Sequence, residues 1–218
     1  MESKTSSRLS QTPFWEPIRG PVTTPIDTTT MNLMIKTDTL RSNPQVNSAS
    51  TAADVISYAV ADSDLGKVLV ASSAKGVCSI LLGDNAEELA ADLADRFPRS
   101  SIVANEAAVK GDVESVLRYI AKPSDGLNLT LDMRGTPFQR RVWEKLKAIS
   151  AGRTVSYTEL AHWMSPLANP RAVASACAAN PIALAIPCHR VVRTNGDLAG
   201  YRWGIERKRE LIRREAMA

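Results

Sequence analysis

The chain is poor in the residues that build metal centres and disulfide frameworks. Its 218 residues hold three cysteines, Cys78, Cys177 and Cys188, and two histidines. A four-cysteine zinc module is excluded by number alone. An odd, sparse set of thiols argues against a disulfide scaffold and for a reducing, cytoplasmic setting. No apolar run approaches the roughly 18 to 20 residues that span a bilayer, and the first residues lack the apolar stretch of a secretory leader. The sequence therefore predicts neither a metal site nor a membrane partner.

What is present is enough apolar material for a sizeable core, 44% of the chain, and an uneven charge. The net charge of +4 hides a split. From Arg134 to Ala218 there are 15 Lys and Arg against 6 Asp and Glu, whereas the preceding 133 residues hold 12 against 17. A basic half beside an acidic half points to an anionic partner, nucleic acid first, with a merely solvated basic surface as the plainer account.

Residues 1–53 read as a disordered Ser-, Thr- and Pro-rich tail, too polar to repay the entropy of ordering, with "FWEPI" from Phe14 as a short patch able to dock. From Val55, "VISYAVA", "GKVLVASS" and "GVCSILLG" are β-prone runs separated by turn signals, hence an antiparallel meander. Leu89, Leu93 and Phe97 set a helix that ends at Pro98. Val109, Val113, Val116, Leu117 and Ile120 set a second helix. "LNLTLDM" reads as a further strand, and Cys78 as a core filler. Residues 54–133 thus form a small α+β unit.

After Arg134 the pattern is helical. Thr136, Pro137 and Gln139 make a capping box for a helix burying Phe138, Val142, Leu146 and Ile149. Ser156 and Glu159 repeat the device. Asn169 and Pro170 open a third helix that stops at Asn180, before Pro181. The two short helices joined by "SPLAN" outline a helix-turn-helix. The last stretch, from Gly204, is a basic, partly apolar helix.

The second helix of that pair is nearly bare: Ala172, Ala174, Ser175, Ala176, Ala178 and Ala179 offer almost nothing to read base edges in a major groove. A slim helix suits close approach in a minor groove, and tight helix packing explains it almost as well. Arg171 sits in the first turn, where the helix dipole disfavours a cation by roughly 0.3 to 1 kcal/mol. An arginine filling the space of an expelled nucleotide accounts for it; a phosphate-binding surface arginine is the simpler alternative.

"AIPCHRVV" places Cys188 against His189. A thiolate nucleophile needs a base or a cation nearby, and His189 and Arg190 supply both in sequence. On a strand the two neighbours face opposite ways, so a bridging water is the expected link. Glu215 lies three residues after Ile212 and four after Leu211, on an apolar face where a carboxylate needs a partner. His189 is the expected partner; a surface salt bridge to Arg209, Arg213 or Arg214 is the common alternative.

"NPIALAIPCHRVVRTNGDLAGYRWG", with "FQRRVWEKL", "GRTVSYTELA", "RAVASACAAN" and a late "RRE", resembles the O6-alkylguanine-DNA alkyltransferases, most of all the C-terminal part of the bacterial adaptive-response proteins. The likeness is strong over about residues 134–215 and looser back to about Val55. It implies an α+β fold: a small ribonuclease-H-like antiparallel-sheet domain over residues 54–133, then a mostly helical, winged-helix-like DNA-binding and catalytic domain over residues 134–218. It implies a monomer that binds duplex DNA through the minor groove and flips out O6-alkylguanine. Cys188 then takes the alkyl group irreversibly, one protein per lesion, without cofactor or metal, with O4-alkylthymine as the expected second substrate. His189 is then the general base through a water, oriented by Glu215. Asn180 holds the turn between the slim helix and an active-site strand, and Tyr157 presses on the target phosphate. Arg171 is the intercalating finger, with Ala172, Ser175, Ala176 and Arg190 as further DNA contacts. Pro187, Val191, Tyr201 and Arg202 wall the alkyl pocket. Residues 1–53 hold no cysteine, unlike the phosphotriester-repairing part of a full adaptive-response protein. Two other functions fit parts of the pattern. A non-catalytic binder of alkylated bases has no need of the Cys188, His189 and Glu215 set, and a cysteine hydrolase leaves the slim helix unexplained.

Overall fold

The computed structural model describes residues 54–218; segment 1–53, read above as a tail, lies outside the described residues. The β-prone runs form β1 (Val55–Ser63), β2 (Gly66–Ser73) and β3 (Gly76–Gly83), paired antiparallel in the expected meander. Helix α1 (Ala86–Arg96) buries Leu89 and Leu93 and is capped by Asn85, whose side chain accepts from the Glu88 N–H. Helix α2 (Glu106–Ala121) is capped in the same way by Asn105 and buries Val109, Val116, Tyr119 and Ile120.

Two features of this sheet differ from the sequence reading. The fourth strand is β4 (Ser101–Ala104), parallel to β1, giving the order β3-β2-β1-β4. Only four residues long, β4 gives too little alternation to read. Conversely, "LNLTLDM" is not a strand. It makes a single bridge, Leu131 to Val77, through Val77 N–H to Thr130 O and Asp132 N–H to Val77 O, both 2.8 Å. The reason lies in the edge of β3. A few residues on, Ile80 pairs instead with the segment after the slim helix, donating to Pro181 O at 3.0 Å and accepting from Ala183 N–H at 2.9 Å. Two chain segments share one edge, so neither extends into a strand. Gly76, at φ 127°, permits the first of these approaches, since a Cβ there would collide with the Thr130 carbonyl. The second clamps residues 181–183 to the sheet and fixes the height of the turn that follows.

The remaining elements are α3 (Pro137–Lys147), β5 (Val155–Ser156), α4 (Tyr157–Met164), α5 (Pro170–Ala178), β6 (Val191–Val192) and α6 (Ile205–Ala216). Both capping boxes form: the Thr136 and Ser156 side chains accept from the Gln139 and Glu159 N–H groups, and each N3 side chain accepts from its cap N–H. Helix α3 buries Val142, Trp143 and Leu146, with Ile149 just beyond its end. Phe138, expected in this core, is instead 37% exposed, on the second residue of the helix. Trp143 is buried and donates from Nε1 to Ala176 O at 2.9 Å, tying α3 to α5. Helices α4 and α5 pack on one another and both pack on α3. One continuous cluster of buried apolar residues runs from Ile56 in β1 to Leu211 in α6, so the described part is a mixed α+β structure whose sheet and helices share a core. Among the described residues, no helix is long and apolar enough to cross a membrane.

Candidate active site

Between α5 and β6 the chain makes a succession of tight turns. Leu184 adopts φ 67°, Ile186 N–H bonds Ile182 O at 3.1 Å, and Cys188 N–H bonds Ile186 O at 2.8 Å. Cys188–Arg190 is a 3₁₀ turn, not the expected strand. Pro187 precedes it and cannot donate to a ladder, which favours a turn here over a strand. Asn180, wholly buried, is the pin of this segment. Its Oδ1 accepts from Ile182 N–H at 2.9 Å, and its Nδ2 donates to Ile186 O at 2.8 Å and to Cys188 Sγ at 3.3 Å. The residue expected to hold the turn thus also touches the thiol.

Cys188 lines a cavity of about 560 Å³ with Tyr157, Ala174, Cys177, Ala178, Tyr201 and Arg202 among its neighbours. Burial pushes the thiol up to about 11, while the Asn180 amide and the Lys208 ammonium pull partly the other way. Burial therefore favours the thiol, so a reaction through the sulfur calls for a base to take its proton.

His189 is the base expected for it. His189 is fully buried and its Nε2 lies 2.7 Å from Glu215 Oε1. Burial lowers its proton affinity, against the opposing pull of Glu215, so the imidazole is neutral. Nδ1 has no hydrogen-bond partner in the protein. Glu215 does not pair with Arg209, Arg213 or Arg214, which bind Glu206 and Glu210 instead. Burial opposes its charge, but hydrogen bonds from His189, Arg190 and Tyr119 outweigh that and hold the carboxyl well below its usual range. An ionised carboxylate fixes the proton on Nε2 and leaves Nδ1 as the acceptor, the tautomer a general base requires.

Several residues stand elsewhere than expected. Arg190 faces inward: its Nε and Nη2 donate to the two oxygens of Glu215, each at 2.9 Å, and Nη1 donates to Ile149 O. Its charge is committed there and not to the DNA contact expected of it. Ala176 is buried against α3. Val191 is wholly buried in β6 and does not border the cavity; its carbonyl accepts from Lys208 Nζ at 2.6 Å. Pro187 is buried as well and serves the turn. By contrast, Arg171, Ala172, Ser175 and Ala178 form an exposed strip along α5, and the Arg171 side chain has no hydrogen-bond or ionic partner among the described residues.

The sequence reading missed three groups. Lys208 is completely buried, bonded to Val191 O and, at 3.3 Å, to Ala199 O; burial lowers its proton affinity. Its spacing of three from Leu211 and seven from Glu215 places it on the same inward face, a legible signal. Cys177 puts a second thiol on the cavity wall. Tyr119, from α2, donates to Glu215 Oε1 at 2.7 Å. The cavity wall is also tethered to the sheet side: Arg202 Nη2 meets Asp92 Oδ1 on α1 at 2.6 Å, and Arg96 Nε meets Oδ2 of the same Asp92 at 3.3 Å.

Residues 137–217 match the family model described as 6-O-methylguanine DNA methyltransferase, DNA binding domain. The chain is 47% identical over 161 residues to the bifunctional transcriptional activator/DNA repair enzyme Ada of Escherichia coli, covering 74% of this chain and 46% of that protein. It therefore spans about half the length of that relative. It is 36% identical over 170 residues to a methylated-DNA–protein-cysteine methyltransferase of Candida albicans, covering 73% of this chain and 96% of that one. A solved structure of the Mycobacterium tuberculosis protein OGT in complex with DNA aligns with a TM-score of 0.61 at 32% identity, over 75% of this chain and 93% of the other.

Proposed function

This chain belongs to the family of methylated-DNA–protein-cysteine methyltransferases, and from that premise we propose that it repairs O6-alkylguanine in duplex DNA by moving the alkyl group onto its own Cys188. The observation that carries the reading is the shared cavity. The thiol of Cys188 opens into a space walled by α5, the helix whose outer face is bare of large side chains, with the buried His189–Glu215 pair behind it.

In this reading α5 lies along the minor groove, where its exposed Ala172, Ser175 and Ala178 allow close approach. Arg171 enters the base stack in place of the expelled nucleotide. Flipping costs a few kcal/mol, less for a poorly paired damaged base, and the cavity beside Tyr157, Tyr201 and Arg202 receives it. The sulfur forms a bond to the alkyl carbon as the bond from that carbon to O6 breaks. The electron pair of the broken bond stays with the base, spread over O6 and N1, and N1 takes a proton from water to restore guanine. The thiol proton passes through a water to Nδ1 of His189, and Glu215 stabilises the imidazolium. The product is a thioether with no group poised to reverse it, so each molecule acts once. No step calls for a cofactor, and a single chain carries every residue named. O4-alkylthymine offers the same electrophilic carbon and leaving oxygen and is the second substrate.

The test is intact mass and peptide mapping after mixing the protein with a duplex carrying one O6-methylguanine. A gain of one methylene confined to the Cys188 peptide, matched by restored guanine, is the expected result. Tight binding to the damaged duplex without any mass change would replace this reading with a lesion-binding module.

A further inference from the structure

The polar group behind the thiol is not built from the C-terminal helices alone. Tyr119 belongs to α2, which packs on the sheet, and it is 3% exposed. Its hydroxyl donates to Glu215 Oε1 at 2.7 Å, the oxygen that lies 2.7 Å from His189 Nε2 and accepts from Arg190 Nη2 at 2.9 Å. The same hydroxyl accepts from Arg190 Nη2 at 3.1 Å. Three donors therefore converge on Oε1, while Oε2 has Arg190 Nε. A carboxylate oxygen offers limited electron density, so each added donor weakens its hold on the others. The donor that matters for reaction is Nε2–H, because the strength of that bond decides how readily the ring takes a second proton.

Resting on the alkyl-transfer reading above, we propose that Tyr119 is a positioning residue that sets the proton affinity of His189 by sharing the carboxylate oxygen His189 uses. The groups facing the imidazole are few. Glu215 and Lys208 reach it from α6, Arg190 and Cys188 flank it in its own turn, and the Tyr201 ring stands edge-on with centroids 6.5 Å apart. Arg190 is held by four acceptors and Lys208 by two carbonyls. Among the described residues, Tyr119 is the one neutral donor that touches the relay from outside the C-terminal half. Its own ionisation plays no part, since burial holds the phenol well above its usual range.

The predicted effect has a sign. Transfer needs neutral His189, so its rate falls as the pH drops through the imidazole value. Tyr119→Phe removes one donor from Oε1, strengthens the Nε2–H bond and stabilises the imidazolium. The acid limb of the rate profile then moves up by about 0.5 to 1 pH unit. Replacing Tyr119 with 3-fluorotyrosine, a stronger donor, moves the limb down. Proton NMR gives the same answer without turnover, because the chain has two histidines and His162 is exposed, so the buried ring is recognised directly. Opposite movements of the limb and of the His189 titration in the two variants support the proposal. A limb that stays put, even with a slower rate, overturns it and leaves Tyr119 a packing residue. If the phenylalanine variant does not fold, the fluorotyrosine protein decides alone. If wild-type protein shows no transfer at all, the function above fails, while the NMR titration still tests Tyr119.

Discussion

Glu215→Gln removes a charge from the most congested polar point in the molecule. The carboxylate accepts from His189, from Tyr119 and from Arg190 at both oxygens. Glutamine keeps one acceptor oxygen and turns the other position into a donor, which then faces Arg190 or His189 donor to donor. The Arg190 guanidinium stays buried with its charge uncompensated, and in either orientation of the amide it loses one of its two bonds to residue 215. Breaking a buried pair in this way costs about 3–5 kcal/mol, or about 6–20 °C of melting temperature for a domain of this size. The cost depends on pH in a defined direction. The folded carboxyl sits well below its ordinary value of 4.5, so its stabilisation is complete above about pH 5 and is lost as the pH falls through the folded value. Urea and thermal melts of wild type and variant at pH 7 and in acid measure this. The gap should be full at pH 7 and close on acidification. A gap below about 1 kcal/mol at pH 7, or one that widens in acid, would refute the reasoning.

Arg171→Ala should slow transfer from duplex DNA more than transfer from the free alkylated base; equal losses would remove the finger role. Asp92→Asn should release Arg202 and loosen the cavity wall, slowing transfer several-fold while costing no more than about 1 kcal/mol of stability, because this ion pair is partly exposed. The swap Asp92→Arg with Arg202→Asp should recover much of the lost rate, and a swap no better than the single change would show that the pair holds nothing. With the Cys188 thiol near 11 and the Cys78 thiol near 12, iodoacetamide at pH 7 should label both far more slowly than free cysteine, and Cys188 first because it borders the cavity. Labelling of Cys188 at the free-cysteine rate would mean that the resting group is already a thiolate.

Much of the site was legible because its parts break local rules. A carboxylate on an apolar helix face and a cysteine against a histidine in a chain with few of either each announce themselves in one dimension. Both capping boxes were legible for a similar reason: cap and partner lie three residues apart. What was hidden depends on separations of about a hundred residues. The Ile80 pairing with the segment after Pro181 has no signature in either stretch alone, and it is the reason that "LNLTLDM" fails to become a strand. Arg190 looks like a DNA-facing cation until the Glu215 carboxylate comes into place beside it. Tyr119 carries one polar atom on an otherwise apolar face, a faint mark that gains meaning only once α6 is folded against it.

The convergence on Glu215 Oε1 joins residues 96 positions apart in the chain. Contacts of that span close late in folding, after helices and hairpins have formed from local interactions. An incompletely folded chain therefore carries Cys188 without its relay, as an ordinary thiol. Competence arrives with the last long-range closure. The arrangement works as an interlock: the same closed fold that shields the Cys188 thiol from stray electrophiles also assembles the groups proposed to activate it toward an alkyl group held in the cavity.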